Sequence, residues 1–273
     1  MTTAWVQPDE LFHRQWQAAE DVESVAHLTV VHGFAEHGER YTDLAEAAAE
    51  RGVTVTAVDL PGHGRSPGPR GLVEDVDAVV EAILRLEADV ATPGKARLLF
   101  GHSFGGAIAL LMLARDPQRF AGAVISAPYL TAAHGTPPWL VNAAVSASRW
   151  FPRLRSLPID PADVSEDVQE QRRYDEDPYV DRGGVRLASL RELTRVGSLV
   201  RSEASQITSP TVIVHGTRDR LASFAASQAL ADRYEHLRLR PVDGGAHNLF
   251  RDPGGSELMR EALRHFDAWS ASS

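Results

Sequence analysis

Cysteine is absent from this 273-residue chain. Disulfide staples, thiolate nucleophiles and cysteine-ligated zinc are therefore excluded. Basic residues are in deficit: 28 Lys and Arg face 37 Asp and Glu, for a formal charge of −9. A nucleic-acid partner calls for a basic face, and anionic lipid attracts clustered Lys and Arg, so neither finds support here. No uninterrupted apolar run approaches the roughly 18 residues of a membrane span. The N-terminus, Met1-Thr2-Thr3-Ala4-Trp5-Val6, lacks a basic segment followed by an apolar stretch, so no secretory signal is expected and a cytoplasmic location is. No H-E-x-x-H or other compact ligand pattern occurs, and no metal is expected.

What is present is a rhythm of short apolar runs alternating with helical spacing. His27–His32 (HLTVVH) has the character of a strand buried on both faces of a parallel sheet, and Thr54–Leu60, Arg97–His102, Ala121–Ala127, Thr211–His215 and His236–Val242 are expected as further strands. Tyr41–Arg51, Val73–Asp89, Gly106–Arg115, Ser223–Tyr234 and Glu257–Ala271 are spaced as helices. Such alternation predicts an α/β fold: a mostly parallel sheet with right-handed crossovers and helices on both faces. Ala4–Gln7 and Leu11–Ala18 are expected to open the chain as an antiparallel hairpin.

One stretch breaks the rhythm. Residues 129–205 contain no good strand and run through Trp139-Leu140-Val141 and Trp150-Phe151-Pro152 to the helical Leu187–Val200. They are expected to form a helical cap inserted into a core of residues 1–128 and 206–273. Ligands of open α/β sheets bind at the C-terminal edge of the strands, where such an insertion sits. The plainer alternative is an extra helical layer.

The chemistry begins at Gly101-His102-Ser103-Phe104-Gly105-Gly106. A strand runs into this G-x-S-x-G and a small-residue helix runs out, forming the elbow that presents a nucleophilic serine. A strained turn lifts the Ser103 hydroxyl off the sheet edge, and glycine lets strand and helix approach closely. A serine hydroxyl is a weak nucleophile at neutral pH and needs a base. In hydrolases built on such an elbow, the chain order is nucleophile, acid, histidine. Of the later histidines, His134 comes too early, His215 lies inside a strand, His236 begins one, and His265 lies within a helix. His247 stands in a loop, Asp243-Gly244-Gly245-Ala246-His247, free to swing over Ser103. The acid should follow the preceding strand, which selects Asp219 in Gly216-Thr217-Arg218-Asp219. Asp243 competes but reads as a turn residue beside two glycines.

Acyl transfer also needs two N–H donors aimed at the tetrahedral oxygen. The Phe104 amide follows the nucleophile, and Phe34, in His32-Gly33-Phe34-Ala35-Glu36-His37, is the expected second donor. His32, His37 and His63 read as structural. The resulting two-step acyl transfer requires no cofactor.

Taken together, these segments resemble the monoglyceride lipase and lysophospholipase-like branch of the α/β-hydrolases. His32–His37 followed by Arg40-Tyr41 is similar to its HGxxEH…RY opening. Asp59–Ser66 (DLPGHGRS) and Gly68-Pro69-Arg70-Gly71 resemble its next segment, and Gly101–Gly106 its elbow. Leu157–Asp160 and Asp177-Pro178-Tyr179 resemble its cap. The resemblance covers about Ala26 to Phe250. It implies the same triad and donors, with monoacylglycerols or related lipid esters as substrate. It also implies an acyl chain lodged under an apolar cap, with Trp139, Leu140, Val141, Val145 and Trp150 as candidate lining, and transient contact of that cap with a lipid surface. A short-chain carboxylesterase, a thioesterase, an aminopeptidase-like hydrolase and a non-catalytic binding module on the same fold are the alternatives.

Overall fold

In a computed structural model, residues 11–19, 22–133, 138–156 and 160–272 are described. The apolar runs form a seven-stranded sheet. Its strands are β1 (His13–Trp16), β2 (Ala26–Val31), β3 (Val53–Val58), β4 (Ala96–His102), β5 (Gly122–Ser126), β6 (Thr211–Gly216) and β7 (Leu237–Val242). Their order is β1-β3-β2-β4-β5-β6-β7. β1 is antiparallel to β3, and the other neighbours are parallel. Every residue of β2, β3 and β6 is buried, which is why these strands read as continuous apolar runs. The expected opening hairpin changes in one respect. Its second arm became β1, whose partner is β3, and its first arm, Ala4–Gln7, lies outside the described residues.

Helices α1 (Thr42–Ala49), α2 (Val76–Val90) and α3 (Ser103–Arg115) follow the first strands. Asp75 caps α2 by accepting from the Asp77 and Ala78 amides, satisfying donors that the helix start leaves free. Residues Ser103 to Ala114 of α3 are all buried. A helix apolar on every side is one enclosed on every side, and here the covers are the sheet and a later helix.

Between β5 and β6 lie α4 (Pro138–Ala147), α5 (Pro161–Val164), α6 (Val168–Glu176) and α7 (Leu187–Glu203). Asp160 and Asp167 cap α5 and α6. α7 buries Leu193, Val196 and Val200 in the same apolar cluster as Leu111 of α3 and Ile83 of α2. Gly197 makes this approach possible, because a Cβ there would strike the Leu130 carbonyl. The last part of this helical stretch thus packs directly on the sheet's own helix layer. The end of the chain adds α8 (Phe224–Ala231) and α9 (Gly255–Ser270), and α9 closes the opposite face with Leu258, Leu263 and Phe266 beside Leu98 and Phe100. No helix among the described residues is long and apolar enough to cross a membrane.

Candidate active site

The site lies where β4, β6 and β7 end. β4 passes directly into α3 at Ser103, whose φ of 53° is left-handed. A side chain pays for that conformation, so packing must enforce it. A Cβ at Gly101 would lie 2.6 Å from the Gly105 carbonyl oxygen, and one at Gly105 would strike the carbonyls of Val31 and His32. With glycine at both places, the helix sits against the β2 and β4 backbones. The Ser103 carbonyl also accepts from the Tyr129 amide at 2.9 Å.

After β6 the chain turns at Gly216 and carries Asp219 into a buried position. Its Oδ1 accepts from the amides of Leu221 (2.8 Å) and Ala222 (2.9 Å). Its Oδ2 faces His247 Nδ1 at 2.7 Å and His215 Nε2 at 3.1 Å. Burial would raise the carboxyl pKa, but the His247 charge and the hydrogen bonds from both imidazoles outweigh it and hold Asp219 well below the usual carboxylate range. An ionised carboxylate only accepts. Both facing ring nitrogens therefore carry protons, which leaves His247 Nε2 with its lone pair free to take one. Burial likewise pulls the His247 pKa down, and the Asp219 charge and hydrogen bond reverse this and raise it above 6.5.

His247 is held at the edge where Ser103 sits. Its ring lies 4.8 Å, centroid to centroid, from that of His102, the residue preceding Ser103. His102 itself is kept neutral, its pKa lowered to about 4 by burial and then by the His247 charge. Asp243, the competing acid, is exposed and pairs with Thr217 Oγ1 at 3.3 Å instead.

The loop that carries Phe34 reaches this edge: a Cβ built on Gly33 would lie 3.2 Å from the Ser103 Cβ. Phe104 is the second residue of α3, a position whose N–H the helix's own ladder leaves unused. The Phe34 ring packs edge-on against the Phe104 ring at 6.1 Å. The Phe34 loop is shaped by Glu36, whose Oε1 accepts from the Gly33 amide at 2.7 Å and the Tyr41 hydroxyl at 2.6 Å. His32 bridges locally: Nδ1 donates to the Gly33 carbonyl (2.7 Å) and Nε2 accepts from the Leu60 amide (2.9 Å). His63 Nδ1 donates to the Pro61 carbonyl at 2.9 Å.

His134 and Leu157–Ile159 lie outside the described residues. Trp139 and Trp150, expected to line an acyl site, are 70% and 81% exposed, and Leu140 is exposed as well. α4 is apolar nearly all round and packs one side toward α7, so its remaining apolar side chains face outward. His236 and His265 serve elsewhere: the former's carbonyl pairs with the Thr211 amide, and the latter stacks on Trp269. His215, set aside as the base because it lies inside a strand, contacts the acid: its Nε2 faces Asp219 Oδ2. Its signal was present in the spacing His215-x-x-x-Asp219, but the direction of a strand side chain is not written in the sequence.

With this geometry in place, the comparisons are specific. The family model described as serine aminopeptidase, S33, matches residues 23–254. The chain belongs to this family. Within the S33 hydrolases it is 34% identical over 230 residues to the monoacylglycerol lipase of Mycolicibacterium smegmatis (strain ATCC 700084 / mc(2)155), covering 83% of this chain and 82% of that one. It is 30% identical over 266 residues to the monoglyceride lipase of Homo sapiens, covering 95% and 86%. In three dimensions this S33 hydrolase is similar to the Paleococcus ferrophilus monoacylglycerol lipase, with a TM-score of 0.86 at 28% identity over 97% of this chain and 100% of that one. The sheet order and the elbow are those of an α/β-hydrolase.

Proposed function

We propose that this S33 hydrolase cleaves carboxylic esters of lipids, monoacylglycerols foremost, through an acyl-enzyme on Ser103. One observation carries the reading: the buried His247–Asp219 pair, with a free imidazole lone pair, stands beside His102, where β4 passes into α3 at the left-handed Ser103. His247 Nε2 takes the Ser103 proton as Oγ attacks the ester carbonyl, and Asp219 stabilises the imidazolium that forms. The Phe34 and Phe104 amides receive the negative charge on the tetrahedral oxygen. His247 returns its proton to the leaving alcohol, and water then cleaves the acyl-enzyme with the same base.

The lipid substrate is supported by the relatives and by the insertion. Trp139, Trp150, Phe151 and Leu154 are exposed apolar side chains on residues 129–205, a surface suited to contact with substrate aggregates. We take this insertion to be the cap over Ser103, with α7 as its seat on the core.

The test is a chain-length panel of monoacylglycerols with matched p-nitrophenyl esters and a Ser103→Ala control. Preference for medium or long monoacylglycerols, lost in the variant, is the expected result. Turnover of short activated esters alone would discard the lipid substrate and keep the nucleophile. Activity surviving in Ser103→Ala would discard the mechanism.

A further inference from the structure

A buried set of charges lies beside the site and takes no part in the chemistry above. Glu170, from α6, is fully enclosed. Its Oε1 accepts from Arg40 Nη2 at 2.5 Å, Arg251 Nε at 2.6 Å and Asn248 Nδ2 at 3.3 Å, and its Oε2 from Arg251 Nη2 at 3.1 Å. Arg40 also donates through Nε to Glu36 Oε2 at 3.0 Å. The guanidinium of Arg251 reaches the Arg40 carbonyl as well.

The places these residues occupy in the chain matter more than their number. Glu36 and Arg40 follow the Phe34 loop, and Glu36 holds that loop through the Gly33 amide at 2.7 Å. Asn248 and Arg251 follow His247. Glu170 comes from the inserted segment and contacts Arg40 of the first group and Asn248 and Arg251 of the second, and Arg251 also reaches the first group directly through the Arg40 carbonyl. A continuous line runs from the Phe34 loop through Glu36, Arg40, Glu170 and Arg251 to the His247 loop. A second tie from the same segment joins the Asn248 amide to the Val164 carbonyl at 3.0 Å.

Stability alone does not account for such a set. Burying the Glu36 and Glu170 carboxylates and the Arg40 guanidinium, with Arg251 partly buried beside them, costs several kcal/mol of hydration per buried ion, and apolar residues of similar volume often serve stability as well or better. What charges provide and apolar contacts do not is direction: a bidentate guanidinium fixes both distance and plane. Two more charges border the set: Asp177 Oδ2 lies 3.8 Å from Arg40 Nη1, and Arg173 Nη1 lies 3.9 Å from Glu170 Oε2.

We infer that Glu170 is a positioning residue, which sets the His247 loop and the Phe34 loop in mutual register and so makes turnover depend on the inserted segment being seated. The inference rests on the roles proposed for His247 and Phe34. A register set from a distance acts on the reacting geometry, so it is felt in kcat, whereas an acyl-lining role is felt in KM and grows with chain length.

The experiment measures kcat and KM per active site titrated with a fluorophosphonate, for the wild type, Glu170→Gln and Arg251→Lys, with acetyl and decanoyl esters. Glu170→Gln keeps the shape and loses the charge. It is expected to lower kcat per titrated site by about 10- to 100-fold, the scale of a misplacement near 1 Å. KM should stay within about threefold, and the loss should be equal for both esters. Arg251→Lys keeps the charge and loses the fork, and should lower kcat by a smaller factor. If Glu170→Gln does not fold, Arg251→Lys decides by the same readouts. A titrated variant with wild-type kcat, or a loss confined to KM or to the decanoyl ester, overturns the inference. Failure of the wild type to be labelled at Ser103 would instead overturn the roles it rests on.

Discussion

Asp219 Oδ2 stands 2.7 Å from His247 Nδ1, and this contact fixes which nitrogen of His247 can act as a base. Asp219→Asn replaces an obligate acceptor with a group that can also donate, so the imidazole can settle in the wrong tautomer. A loss in kcat of about 10⁴-fold is expected, as for the same change in other triads. Steady-state kinetics with a soluble ester measures it, and a loss under tenfold would remove Asp219 from its role.

The same contact sets a pH limb. The Asp219 charge raises the His247 pKa above 6.5 against the opposing effect of burial. Only neutral His247 accepts the Ser103 proton, so kcat/KM rises as pH rises through that value and is lost below it. The limb is expected above pH 6.5 in the wild type and at lower pH in Asp219→Asn. A limb that stays in place would assign the titration to another group.

His215 gives a finer test of the acid. Its Nε2 faces Asp219 Oδ2 at 3.1 Å, and its Nδ1 pairs with Ser227 Oγ at 2.8 Å. His215→Leu removes a hydrogen bond to a charged group, worth about 1.5–3 kcal/mol, and leaves Asp219 freer to turn from His247. About tenfold lower kcat is expected, with partial recovery in His215→Gln, whose amide can still donate. Equal activity in both variants would make His215 a packing residue only.

Much of this was legible in the chain because the signals are local. Buried parallel strands must be apolar throughout, as β2 and β6 are, and the elbow needs glycine at fixed offsets from Ser103. The acid and base follow from chain order once the strands are placed. What stayed hidden depends on long-range contacts. Glu170 lies 130 residues from Arg40 and 81 from Arg251, and no periodicity links them. The exposure of Trp139 is equally invisible, because an apolar helix shows which residues avoid water but not which side finds cover.

Acid should unfold this protein early. Burial lowers the pKa of several histidines, among them His27, lowered to about 4 by burial and then by Arg97; His63, lowered to about 3; and His102, lowered to about 4. Their folded pKa values lie below the unfolded value of 6.5, so the unfolded chain binds more protons. Stability is full above pH 6.5 and falls as pH drops, by about 1.4 kcal/mol per pH unit for each such imidazole. His247, raised, opposes them, but burial lowers His32 and His265 as well, so the lowered rings outnumber it. Thermal melts should show no fall in Tm from pH 8 to about pH 6.5 and a steady fall from there to pH 5, and a profile flat below pH 6.5 would mean that these rings are charged or solvated in the native state.

The elbow makes a last prediction with an unusual sign. Ser103→Ala and Ser103→Gly both remove the hydroxyl and should both abolish turnover. They differ in backbone cost, since Ser103 holds a φ of 53° and alanine keeps the Cβ that this conformation penalises by roughly 1–2 kcal/mol. Glycine ordinarily destabilises a helix relative to alanine, by about 1 kcal/mol in its interior. At the first residue of α3 that penalty is reduced, because Ser103 is not yet in helical conformation. The glycine variant is therefore expected to be the more stable of the two, by about 1 kcal/mol in urea unfolding. An alanine variant of equal or greater stability would mean that the turn is unstrained and that the surrounding glycines, not the Ser103 backbone, bear the cost of lifting the hydroxyl off the sheet.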